Sequence, residues 1–131
     1  MSQANRWPIA VALIAVLIQS VALYWPELPA QAGPGIPGLD KVVHVVLFAT
    51  TTWAVAWAFG LRWAVAAMVL QLSASELAQG ALLPGRTADP WDAAADALGI
   101  AVGVIAHLRG WFLPQGARQR IKTPVASGQQ P

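Results

Sequence analysis

Asp40-Lys41-Val42-Val43-His44 gathers a carboxylate, an ammonium and an imidazole within little more than one helical turn. His44 lies four residues after Asp40, so on a helix the two share a face with Lys41 beside them. Imidazole changes charge near neutral pH, which suits it to proton transfer. A second set is Ser73, Ser75, Glu76 and Gln79, where the i, i+3, i+6 spacing puts Ser73, Glu76 and Gln79 on one broad helical face. Glu76 sits inside an apolar stretch, and a carboxylate there needs a partner, water or a proton. A third set is the loop Pro84-Gly85-Arg86-Thr87-Ala88-Asp89, whose arginine suits a planar carboxylate or a phosphate. The fourth is Asp89, Asp92 and Asp96, one stripe at i, i+3, i+7 that Gly99 and Gly103 continue. Each set also has a plainer reading. Asp40 suits an N-cap, acids at a helix N-terminus complement its dipole, and buried polar groups tie helices together.

Four apolar runs must position these residues. They cover roughly 8–25, 41–59, 62–83 and 91–113 of a 131-residue chain that is 56% hydrophobic and 11% charged. At ~1.5 Å per residue, about 20 residues cross a ~30 Å hydrocarbon core. Pro8 and Pro90 suit first helical turns, while Pro26, Gly60, Pro84-Gly85 and Pro114 stop the runs. The sequence therefore predicts an all-α integral membrane four-helix bundle over residues 1–113. A polar, basic tail over 114–131 reads as disordered. Trp7, Trp25, Trp63, Trp91 and Trp111 fall near run ends, where indoles favour the headgroup layer; Trp53 and Trp57 fall inside a run and read as packing residues.

Threading the runs through a bilayer places all six acids (Glu27, Asp40, Glu76, Asp89, Asp92 and Asp96) on or near one face. Arg6, Arg62, Arg109, Arg118, Arg120 and Lys122 go to the other, while Lys41 and Arg86 sit among the acids. The positive-inside rule makes the basic side cytoplasmic, with both termini, and the acidic side outward. The first run also resembles a signal peptide ending at Ala30-Gln31-Ala32, but Pro26 and Pro29 put a long gap between its apolar stretch and that site.

Taken in order, Asp40-Lys41-x-x-His44, Glu76-x-x-Gln79, Pro84-Gly85-Arg86-Thr87, Asp92 and Gly99 resemble the VanZ-like family of small bacterial membrane proteins. The resemblance covers roughly residues 39–103. It implies a multi-span helical protein of the bacterial plasma membrane, in a family whose namesake is associated with resistance to the glycopeptide teicoplanin. The family usually has asparagine three residues before the glycine. Here Asp96 stands there, adding a negative charge where a neutral amide is usual.

Several function classes drop out. The chain has no cysteine, which removes disulfides and thiol chemistry. The pI near 9.7 comes from helix-end and tail residues rather than from a nucleic-acid patch. No cofactor motif is read. Three readings stay open. The first is binding or modification of an envelope lipid or lipid-linked cell-wall precursor, with His44 and Glu76 moving protons and Asp40, Lys41, Gln79, Arg86, Asp92 and Asp96 forming the binding set. The second is a metal-assisted enzyme using His44, Glu76, Asp92 and Asp96, without a specific ligand-pair motif. The third is a structural network that acts through a partner. Membrane lipids are expected neighbours, and homo-oligomerisation is left open.

Overall fold

The structure, a computed structural model, describes residues 6–25, 38–82 and 89–114. They form four helices: α1 (Trp7–Tyr24), α2 (Leu39–Phe59), α3 (Leu61–Ala81) and α4 (Pro90–Leu108). No strand occurs among the described residues. Helices α1, α2 and α4 are long and apolar enough to cross a membrane, with mean hydropathies of 2.0, 1.7 and 1.3. Helix α3 has 21 residues, ample length to cross, but carries Arg62, Gln71, Ser73, Ser75, Glu76 and Gln79 and is not among the three.

The side chains are sorted apolar-out and polar-in. Leu13, Ile14, Leu17 and Ile18 of α1, Val42, Val43 and Val46 of α2, and Leu98, Val102 and Ile105 of α4 are exposed. Gln19, His44, Thr51, Thr52, Ser75, Gln79 and Asp96 are buried. The arrangement suits hydrocarbon solvation, where apolar side chains cost nothing against lipid and polar ones are best placed inside.

Helix α2 is central and touches the other three, α4 most of all. Cross-contacts fix the directions. Lys41, His44, Val45 and Ala49 of α2 meet Asp89, Asp96, Gly99 and Gly103 in rising order, so α2 and α4 run parallel. Ala15 lies by Thr51 and Leu23 by Gln79, so α1 runs parallel to α3 and against α2 and α4. The core is small: Phe48, Leu23, Met68 and Ile100 among Ala12, Ala54, Ala56 and Ala64.

Two turns set the helix ends. Gly60, at φ +93°, ends α2 and starts α3 with no other residue between them, in a region that side chains rarely adopt. Helix α4 stops at Leu108, five residues before the expected limit at 113. Gly110, at φ +66°, closes it with bonds from Gly110 N–H to the His107 carbonyl and from Trp111 N–H to the Ala106 carbonyl, a Schellman motif. The following residues fold back instead of extending the span. The Trp53 indole donates to the Trp111 carbonyl at 2.9 Å, and Phe112 meets the Trp53 ring edge-on. At the other end of α2, Gly38 rather than Asp40 occupies the N-cap, and Asp40 falls in the first turn.

The α2–α4 contact is made at two glycines. A Cβ on Gly99 would lie 2.6 Å from the Val45 carbonyl oxygen, and one on Gly103 would lie 2.5 Å from that of Ala49. Both obstacles are backbone, so the helices would have to separate. Gly99→Ala is expected to lower stability by about 1–3 kcal/mol, the usual range for overpacking. Unfolding in detergent checks this, and an unchanged transition would mean that the two helices do not approach this closely.

Candidate functional site

His44 stands one turn into α2 and Asp96 nearly two turns into α4. Because the helices run parallel in close contact just below, the two side chains meet. His44 Nδ1 is 2.7 Å from Asp96 Oδ1, with Asp96 fully buried and His44 nearly so. An ionised carboxylate only accepts, so with Asp96 ionised Nδ1 would carry the proton and donate it. Asp96 thereby orients the imidazole ring. Asp96 Oδ2 is buried and has no hydrogen-bond partner among the described residues.

Lys41 sits one turn above, toward the helix ends. Its Nζ lies 2.8 Å from Asp40 Oδ2, 2.8 Å from Asp89 Oδ2 and 2.6 Å from Asp92 Oδ1. The Asp92 approach is an ion pair off the line of a hydrogen bond. Three carboxylates thus surround an ammonium with three N–H groups, and Lys41 ties the start of α2 to the start of α4. Asp89 also caps α4, its Oδ1 accepting from Trp91 N–H at 2.9 Å. Lys41 and the Trp91 N–H hold the Asp89 carboxyl below its ordinary range.

Helix α3 contributes less than the i, i+3, i+6 spacing suggested. Successive residues turn ~100°, so Ser73 and Gln79 stand ~120° apart. Ser73 is exposed and donates to its own helix at the Val69 carbonyl. The buried face is Ser75 and Gln79, and Gln79 Nε2 donates to the Leu23 carbonyl of α1 at 3.3 Å. Glu76 stands beside that face, within electrostatic reach of Asp92, Asp96 and His44, and its buried Oε1 has no hydrogen-bond partner among the described residues.

The structure therefore brings together Asp40, Lys41, His44, Glu76, Asp92 and Asp96 at one end of the bundle, while Gln79 lies alongside, engaged with α1. Arg86 lies outside the described residues, as does Glu27. Arg62 and Arg109 lie at the opposite end, each over a neighbouring indole, Trp63 and Trp111. Lys41 is taken up by carboxylates. Among the described residues, no three His or carboxylate side chains converge as metal ligands would. One buried group escaped the sequence reading. Gln19 of α1 is 1% exposed, and neither its Oε1 nor its Nε2 has a hydrogen-bond partner among the described residues. Its signal was a lone amide in an otherwise apolar run.

Comparison with protein-family models, with curated proteins and with solved structures finds no match to this chain.

Two outcomes follow from this geometry. A double-mutant cycle on His44→Gln and Asp96→Asn is expected to give a coupling of about 1.5–3 kcal/mol, as for a hydrogen bond to a charged group. A coupling near zero in detergent unfolding would remove the dyad. Asp89 is lowered in the folded state, so its contribution is present above its unfolded value, roughly 4, and is lost as pH falls through the folded one. Asp89→Asn is expected to be less stable at neutral pH and to lose less on acidification than wild type. Parallel acid-unfolding curves for the two would refute the Lys41 pairing.

Proposed function

We propose that this chain is a VanZ-like, four-span protein of the bacterial plasma membrane whose acidic end faces outward, with both termini cytoplasmic. At that end it binds, and in the fuller version of the reading modifies, the headgroup of an envelope lipid or lipid-linked cell-wall precursor. The observation that carries the reading is the buried His44–Asp96 contact beside Glu76, at the membrane-surface end of a bundle that is otherwise apolar outside. A histidine oriented by a carboxylate is the arrangement general acid–base catalysis uses, and a carboxyl held at low dielectric can complement it. Intramembrane ionisable groups are costly to bury, which favours a functional reason for keeping them. Sidedness rests on Arg6, Arg62 and Arg109 at the opposite end. In this reading Arg86 supplies the contact to phosphate, and Lys41 holds the acids in place.

A second reading has a specific observation in its favour. Lys41 to Asp89 and Asp92, and His44 to Asp96, all join α2 to α4, while Gln79 joins α3 to α1. Such a set would also serve as interhelical bonding alone, with the protein acting through a partner.

Native mass spectrometry of the detergent-extracted protein separates the two. Wild type is expected to keep a phosphate-bearing lipid that Arg86→Ala loses and Glu76→Gln binds differently. No specific adduct on wild type, together with lowered melting temperatures in both variants, would replace the headgroup site with a structural network.

A further inference from the structure

Beside the polar end, an open groove of about 480 Å³ runs along the outer surface between α2 and α4. Val42 and Val46 form one wall and Trp91 and Leu98 the other, all four exposed, with Val45 and the buried Ala95 between them. The groove has a sequence cause. Trp91, Ala94, Ala95 and Leu98 are spaced i, i+3, i+4, i+7, so two small residues sit between two large ones on a single stripe. From Trp91 to Leu98 is ~10 Å along the helix, enough for the upper part of one acyl chain. Among the described residues, nothing polar lines it except Lys41 at its mouth.

The charge at the mouth discriminates between headgroups. Lys41 faces Asp40, Asp89 and Asp92, so among the described residues three carboxylates meet one ammonium. The Asp40 side chain is 59% exposed and that of Asp89 33%, so both remain open to a ligand while Lys41 is occupied. A headgroup ammonium would find acceptors in these carboxylates that a headgroup with no cation would not use. Resting on the headgroup reading above, we infer that the groove holds an acyl chain of a membrane phospholipid whose headgroup carries an ammonium group, set against Asp40 and Asp89.

The test uses the full chain in detergent, mixed with equal amounts of phosphatidylethanolamine and phosphatidylglycerol of matched acyl chains and read by native mass spectrometry. Wild type is expected to retain the ethanolamine lipid over the glycerol lipid by about three- to tenfold, the ratio that one or two exposed ion pairs produce. Asp40→Asn is expected to reduce that ratio toward one. Ala94→Leu is expected to lower retention of both lipids by filling the groove from an exposed position, and Val46→Phe to do the same from the opposite wall. Melting curves in the same detergent verify that the variants fold, and two groove variants guard against one that does not. Equal or greater retention of the glycerol lipid overturns the charge selection but leaves the headgroup reading standing. Undiminished retention in both groove variants overturns the groove. A folded wild type that retains neither lipid overturns the headgroup reading as well.

Discussion

The distance between α2 and α4 governs the rest of the molecule. With Gly99 and Gly103 against the Val45 and Ala49 carbonyls, the two helices run parallel at backbone contact. His44 and Asp96 then meet directly, and Lys41 reaches across to Asp89 and Asp92. Helices that associate in hydrocarbon gain little from apolar burial, because lipid tails are as apolar as leucine, so close packing and interhelical polar bonds must do the holding. Here both occur on one helix pair, the glycines below and the polar contacts above. A side chain added at either glycine would separate the polar partners as well as the backbones.

The polar end has two layers that differ in solvation. In the outer layer, exposed or half-exposed carboxylates gather around Lys41, where a pair gains little over water and screening is strong. In the inner layer, Asp96 and His44 are shut off from solvent, and a hydrogen bond to a charge counts for more. Glu76 lies at the boundary from the α3 side. Under the proposed function, proton transfer would fall to the inner layer and recognition of a charged headgroup to the outer.

Much of this was legible in the residues. Four apolar runs with proline and glycine at their limits gave four helices within a few residues of their observed bounds. Asp89, Asp92, Asp96 and Gly99 on one stripe meant that the acids had to face another helix, and they do. What the sequence withheld was the partner of each group. Nothing in Asp40-Lys41-x-x-His44 says that Lys41 would be enclosed by acids from α4 or that Asp96 would be the histidine's partner, because those pairings depend on α2 and α4 being parallel neighbours. The α3 face was misjudged because i and i+6 differ by a third of a turn, enough to turn Ser73 outward while Gln79 turns in. The end of α4 was overrun because Trp111, Phe112 and Leu113 read as apolar span. Gly110 had already reversed the chain, and Leu113 is buried beyond that turn.

The one-residue turn at Gly60 bears on how α2 and α3 would enter a membrane. Helices α2 and α3 are joined so tightly that neither can take up its final position while the other is elsewhere. Their hydropathies differ, since α2 qualifies as a span by itself and α3 does not. Were α2 to cross a bilayer, α3 would follow as the second arm of a hairpin, with Ser75 and Gln79 on its buried face.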